Sequence, residues 1–475
     1  MTMRTIGSAS LPLALALALA GCATTGPDYH LSEDAVANAP SAQGEFLSAQ
    51  DDAFASTPLP DRWWHLYDDP RLDALVEEAL SANADLRAAD ANLRRADALL
   101  RETTGQRALS TTTSASLAGE RDYSTASANT SLPGVATYDL GLSLSYPLDL
   151  TGKLRRAIEA SVADRAAVEA ARDAVQISVA AATTQAYADI CAANYELATV
   201  EKVVAVQEKT LEATQRLQAG GRGTSFDVSR ARTAVETSKA NLPGLRADRR
   251  SALYLLATLL GRAPADYPRE VATCATLPTL SSPLPVGDGT ALIRRRPDIR
   301  EAERTIASDT ARVGVAMADL YPQISIGGGL ISSGKIEDIG SSHSIGFGFG
   351  PLLSWSFPNR PIVEARIDAA NAQVDADLAA FDSVVLAALR GTETALETYA
   401  RGMERAETLG RAAQSAKVSA DQAEKLFHFG RSDFLSLLNA QGTLATAEVA
   451  HASAEAALVD RQITVFLALG GGWQG

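Results

Sequence analysis

The chain has 475 residues, a formal net charge of −14 and 46% hydrophobic residues, and its length leaves room for two or three ordinary domains. The acidic balance argues against nucleic acid as a partner, because phosphate binding needs clustered Lys and Arg. Three cysteines in all exclude a disulfide-rich scaffold. Cys191 and Cys274 are expected as buried free thiols, although nothing forbids their pairing.

Arg4 precedes an apolar run from Leu11 to Ala20, followed by Gly21 and Cys22. A short basic start, an apolar core too short to span a bilayer and small residues before a cleavage point make a signal peptide. The residues Leu19-Ala20-Gly21-Cys22 resemble the bacterial lipobox, which implies cleavage before Cys22 and acylation of that cysteine. One acyl chain anchors only marginally, so further chains or a second membrane contact are expected. No later stretch reaches about 18 consecutive apolar residues. Any membrane crossing must therefore be a closed β-barrel.

The rest of the chain is written twice, at an offset of roughly 210 residues. Asn83-Ala84-Asp85-Leu86-Arg87 is echoed by Arg296-Pro297-Asp298-Ile299-Arg300, and the turn around Gly221-Arg222 by that around Gly430-Arg431. Each half reads helix, strand, strand, very long helix, turn, long helix. The expected divisions are a signal peptide at 1–21, a lipidated N-terminal segment at 22–70, a first repeat at 71–262, a linker at 263–290 and a second repeat at 291–475. The hairpin turns fall near 220–224 and 430–433.

Lys153 to Ala219 contains neither Gly nor Pro. A helix over most of that span is ~100 Å long, far beyond the ordinary helix of about 11–12 residues. Ile362 to Phe429 has no Pro and reads the same way. Its apolar residues Leu378, Phe381, Val385, Leu389, Leu396, Tyr399 and Met403 recur at steps of three and four, the pattern of a coiled-coil seam. Gly220-Gly221 and Gly430 send the chain back as Ser225–Leu260 and Asp433–Leu469, so each half carries a long antiparallel α-hairpin.

The strand candidates are Leu109–Leu117, Tyr138–Tyr146, Gln323–Leu330 and Ser344–Phe357. In the second, Tyr138, Leu140, Leu142, Leu144 and Tyr146 share one face and Asp139, Gly141, Ser143 and Ser145 the other. In the fourth, Ile345, Phe347, Phe349, Leu353, Trp355 and Phe357 face away from Gly346, Gly348, Gly350 and Ser354. An apolar face bracketed by aromatic residues suits a lipid-facing barrel strand; a soluble sandwich strand has the same period. Four strands cannot close around a lumen, and open edges in lipid leave unpaired N–H and C=O groups. Copies must therefore pool strands. Two copies give a filled barrel and three give twelve strands with a lumen, so a conduit favours a homotrimer.

Several motifs in order resemble the TolC-like outer-membrane efflux proteins, in particular their NodT-type lipoprotein subgroup. Trp63-Trp64 and Asp69-Pro70-Arg71-Leu72 are similar to the family's opening, and Arg295-Arg296-Pro297-Asp298-Ile299 with Ala302-Glu303-Arg304 to its second-half opening. Gly314-Val315-Ala316-Met317-Ala318, Leu320-Tyr321-Pro322 and the ending Leu467-Ala468-Leu469-Gly470-Gly471-Gly472-Trp473 continue the match. The resemblance covers nearly the whole chain after Cys22. It implies a mainly α fold with a membrane β-part: a trimer whose 12-strand transmembrane barrel continues into a 12-helix periplasmic α-barrel. It also implies an outer-membrane, lipid-anchored location, a periplasmic adaptor protein and an inner-membrane RND-type transporter as partners.

In that family acidic residues after the second hairpin turn ring a closed periplasmic aperture. The corresponding positions here are Ser436 and Asn439, a departure from the pattern. Asp433, and Asp227 at the matching place of the first hairpin, are left to supply carboxylates there, where three like charges around one axis focus a potential. Both are equally explained as helix N-terminal residues. Leu435 with Leu438 offers an apolar constriction or seam packing. Gly221, Arg222, Gly430 and Arg431 are candidate adaptor contacts or plain turn residues. Arg294-Arg295-Arg296 reads as an exposed cluster before the helix opened by Pro297.

Residue spacing offers no catalytic constellation. His30, His65, His343, His428 and His451 form no pair at metal-ligand spacing, and no nucleophile elbow or phosphate loop occurs. Gly346, Gly348 and Gly350 lie inside a strand candidate rather than before a helix. The sequon Asn129-Thr130-Ser131 is expected in an extracellular loop. The expectation is a passive duct for small toxic compounds with no cofactor and no reaction. Type I secretion-like or metal-ion export is an alternative, and a lipid-anchored coiled-coil scaffold or adhesin is the alternative of another class.

Overall fold

Runs of good helix formers without Gly or Pro propagate as single helices, and strands appear where polarity alternates. The computed structural model describes residues 24–50, 53–120, 134–280 and 283–471. Cys22 and the signal peptide, the Asn129–Ser131 sequon and the terminal Gly472-Trp473 lie outside them. Helices α1 (Pro70–Ala82) and α2 (Ala84–Gly105) precede strands β1 (Ser110–Glu120) and β2 (Val135–Leu148). The 67-residue α3 (Lys153–Ala219) follows, then α4 (Ser225–Lys239) and α5 (Leu242–Leu259). Helices α6 (Gly289–Arg295) and α7 (Pro297–Ala318), strands β3 (Gln323–Lys335) and β4 (Ile345–Ser354), the 69-residue α8 (Arg360–His428) and α9 (Phe434–Ala468) complete the order.

The first return segment is not one helix, as expected from Ser225–Leu260, but two. Pro243 has no N–H to donate and is tolerated only in a first turn. The chain breaks at Ala240–Asn241 and restarts with Pro243 in the first turn of α5. α9 has no such residue and runs unbroken.

The chain divides into two compact units. One gathers the described parts of Met1–Ser32 with Leu93–Val168 and Glu301–Phe381. It contains the antiparallel sheet, in the order β1-β2-β3-β4. The pairing register places Thr113, Leu142, Leu330 and Phe347 in one cross-strand row, and Thr111, Leu144, Gly328 and Phe349 in another. Successive residues alternate faces, so one face collects most leucines and aromatics of β2–β4 beside Thr111 and Thr113, and the other is mainly Ser, Thr and Gly with Ile331 and Leu352 among them. At the start of α3, Arg156 is buried and donates to the Thr25 and Gly26 carbonyls, 2.9 Å each, and pairs with Asp28 and Glu159. The segment that begins at residue 24 is thereby tied to the sheet-to-helix junction, where Thr25 N–H also donates to Thr151 O at 3.0 Å.

The other unit comprises Glu33–Asn92, Glu169–Arg300 and Asp382–Gly475. Its core packs Trp63, Leu72, Val76, Tyr187, Ile190, Leu256, Leu396 and Phe466. Trp63 stacks on Phe466 with ring centroids 4.6 Å apart. Asp69 caps α1 by accepting the Arg71 N–H at 2.9 Å, while its other oxygen accepts the Tyr187 hydroxyl at 2.5 Å. The Asp-Pro-Arg opening is therefore a helix start and an anchor to α3 at once.

Two expectations are corrected in this unit. Cys191 on α3 and Cys274 in the linker form a disulfide rather than free thiols. Asn194, one turn on, donates to the Ala272 and Cys274 carbonyls. The linker is thus bound down rather than a simple connection: Val271, Leu284 and Val286 are buried, and Leu284–Pro285 pairs in parallel with Phe54–Ala55. The arginine run is not an exposed cluster either. Arg295 donates to Leu59 O and Asp61, and Arg296 to Ala468 O and Asp298. Arg296 turns inward to the Ala468 carbonyl, which the end of α9 leaves without an intrahelical donor, and Arg295 to the Leu59 carbonyl in the irregular segment before Trp63.

Candidate channel surfaces

At the first hairpin turn, Gly221 takes φ 72° and the Arg222 N–H reaches back to Leu217 O at 2.8 Å. At the second, Gly430 takes φ 69° and the Arg431 N–H reaches Leu426 O, also at 2.8 Å. Both are left-handed helix caps, where glycine avoids the Cβ clash and the next N–H satisfies an orphan carbonyl. The Gly-Arg repetition therefore has a backbone cause. The two arginine side chains are exposed.

Three residues beyond each glycine a side chain caps the returning helix. Thr224 accepts the Asp227 N–H at 3.2 Å while the Asp227 carboxylate accepts the Thr224 N–H at 3.2 Å, a reciprocal capping box. Asp433 accepts the Ser436 N–H at 2.7 Å. That backbone hydrogen bond holds the Asp433 carboxyl below the usual carboxylate range. Asp433 thus corresponds to Thr224 and not to Asp227. The Asp227 position is matched by Ser436, a correction to the alignment read from sequence. Asp433, Leu435, Ser436 and Asn439 are exposed, the last two at helical i, i+3 spacing, whereas Leu437 is buried. Helix spacing thus groups the polar candidates, and their neighbour holds the hairpin together.

On the sheet, Phe347 is 89% exposed; Phe349, Tyr146 and Trp355 are exposed with it, as are Leu140, Leu142 and Leu144. Trp355 lies just past the end of β4 and packs on Phe357, centroids 5.2 Å apart. Tyr138 departs from the expectation. It is 4% exposed, its hydroxyl lies 3.0 Å from Ser332 Oγ, and its partner across the ladder is Gly334. The missing side chain at Gly334 leaves room for the ring to lie down over it on the Leu140 face, where Ser332 and the Asp338 carbonyl cover its hydroxyl, so the exposed apolar face has its aromatic residue at one end of β2 only. Among the described residues no helix is long and apolar enough to cross a membrane.

Comparison with known proteins agrees with this geometry. The family profile described as "Outer membrane efflux protein" matches residues 75–262 and 290–471. The solved outer-membrane channel OprN superposes with a TM-score of 0.86 at 34% identity, covering 95% of this chain and all of that one. Nodulation protein T of Rhizobium leguminosarum bv. trifolii is 28% identical over 421 residues, 86% of this chain and 88% of the relative. The probable efflux pump outer membrane protein TtgC of Pseudomonas putida is 29% identical over 474 residues, 96% and 94% of the two chains. This chain belongs to the outer membrane efflux protein family, whose members are channels rather than enzymes.

Proposed function

We propose that three copies of this chain form a passive duct that carries small toxic compounds across the outer membrane, delivered by an inner-membrane RND-type pump through a periplasmic adaptor. The observation that carries this reading is the four-stranded sheet with one apolar face and two open edges, β1 and β4. In lipid each unpaired backbone group costs several kcal/mol. The edges close when β4 of one copy meets β1 of the next, and three sheets give twelve strands around a lumen lined by Ser, Thr and Gly. The two matched halves, each with a 22-residue helix, two strands and a long hairpin, favour a duplicated unit with the divisions at 71–262, 263–290 and 291–475, and a twelve-helix α-barrel in the trimer.

Acylation at Cys22 supplies a second attachment beside the sheet, in keeping with the two-signal rule for stable anchoring. The hairpin ends are assigned to the periplasmic tip. There Asp227, Asp433, Leu435, Ser436 and Asn439 surround the aperture, and Gly221, Arg222, Gly430 and Arg431 meet the adaptor. No cofactor is needed, since the pump supplies the energy.

Deleting the gene in a strain with and without a candidate pump, then measuring susceptibility to toxic compounds, tests the reading. Sensitisation that depends on the pump supports it. A purified, lipid-free chain that stays a water-soluble monomer, with no heat-modifiable trimer in detergent, overturns it in favour of a scaffold. For the aperture, single-channel recordings of Asp227→Asn and Asp433→Asn keep helix capping while removing charge. Unchanged cation selectivity in both removes the aperture assignment.

A further inference from the structure

Gln185 on α3 donates from one amide nitrogen to two carboxyl groups, Asp189 Oδ1 at 2.8 Å and Asp460 Oδ1 at 2.6 Å. An amide nitrogen carries two hydrogens, so this pair of acids uses both. Asp189 lies one turn further along α3, whereas Asp460 belongs to α9. The amide therefore joins the outgoing helix of the first hairpin to the returning helix of the second.

The surroundings offer the pair little compensation. Both acids line a groove of about 450 Å³ between α3, α5 and α9, together with Glu196 and Asp248 and with no Lys, Arg or His in its wall. Arg461, next to Asp460, is the adjacent cation, but its guanidinium packs against Gly402 on α8, where even a Cβ would collide with it. Tyr67, close enough to sense the charge on Asp460, is buried and donates to Gln462 instead. Two partly buried carboxylates facing each other in this setting cannot both ionise without cost. Burial outweighs the opposing Gln185 hydrogen bond and, with a smaller push from the charge on Asp460, raises Asp189 to about 6; burial likewise raises Asp460 against the pull of Gln185 and Arg461.

We propose that Asp189, Gln185 and Asp460 form a proton-sensitive fastener between α3 and α9, closed when the acids are protonated and loosened as pH rises. The sign follows from the direction of the shifts. An acid whose folded pKa lies above its unfolded value of 3.8 stabilises the fold most below 3.8, and that contribution is lost as pH climbs through about 6. Near neutral pH the contact carries its full repulsion. Because α9 and α3 belong to different halves of the chain, the pH of the surrounding compartment sets how firmly the two hairpins hold together, whichever compound the channel carries.

Hydrogen exchange on the full-length protein in detergent, corrected for intrinsic rates, tests this between pH 5 and 8. Local opening over residues 185–196 and 453–462 is expected to grow on the order of tenfold, because about one pH unit of the window between 3.8 and about 6 lies above pH 5. In Asp189→Asn and Asp460→Asn the dependence flattens, and both variants melt above the wild type at pH 8 and close to it at pH 5. A wild-type opening constant that does not move across the range overturns the proposal. So do variants that keep the wild-type pH dependence in both exchange and melting.

Discussion

Gly26 lies back to back with Gly314: a Cβ placed on Gly26 would come within 2.4 Å of the Gly314 Cα. The N-terminal segment crosses α7 at backbone distance, and Arg156 can then hold the Thr25 and Gly26 carbonyls. A methyl group on Gly314 would meet Thr25 O and Arg156 Cγ, each at 2.8 Å. Gly314→Ala should cost about 1–3 kcal/mol through overpacking, read as a lower melting temperature of the purified protein. An unchanged melting temperature would show that the segment moves aside freely.

The Cys191–Cys274 bridge closes a loop across a sequence separation of 83. Replacing both residues with Ser should lower stability by about 2–4 kcal/mol. The loss should fall on the linker around Cys274, where the Asn194 donations and buried Val271 would remain. Reductant titration with alkylation and mass spectrometry identifies the bridge. Thiols that alkylate fully in the unreduced protein would remove it.

Asp433 acts through its cap as well as its charge. Its carboxyl is held below the ordinary range, so its contribution is present above the unfolded pKa of 3.8 and fades as pH falls through the lower folded value. Asp433→Ala should loosen the first turn of α9 at neutral pH, measured as faster amide exchange at Leu435–Leu437. Asp433→Asn, a good cap residue, should leave that exchange slow.

The two faces of the sheet should respond oppositely to charge. Leu142→Arg places a guanidinium on the apolar face, where about 2–4 kcal/mol is lost near the bilayer midplane. Ser143→Arg, one residue on, points to the Ser, Thr and Gly face and should leave membrane insertion intact. Heat-modifiable trimer yield distinguishes them, and equal loss for both would contradict the assignment of faces.

Much of this architecture was legible because it rests on local rules. The ends of α3 follow from the glycines Gly152 and Gly220 that bound it, and β2 and β4 follow from two-residue alternation. The turns at Gly221 and Gly430 were visible for the same reason. What escaped depends on partners distant in sequence. Tyr138 is covered because it lies over Gly334 and bonds Ser332 and Asp338. The Cys191–Cys274 pairing and the inward course of Arg295 and Arg296 need the tertiary fold. Pro243 is a readable signal for the break between α4 and α5 that a single return helix over Ser225–Leu260 leaves out of account. The equivalence of Asp433 with Thr224 emerges only when the helix caps themselves are compared.

The unpaired outer edges of β1 and β4 carry a genetic consequence. If each wall is completed by neighbours, a chain whose β1 edge is blocked, for example by Thr113→Pro, does not merely fail alone. Mixed with normal chains it enters their rings and breaks the seam for all three, so a minority of defective copies silences most pores. Co-expression should therefore be dominant-negative, with the surviving fraction falling as roughly the cube of the intact share.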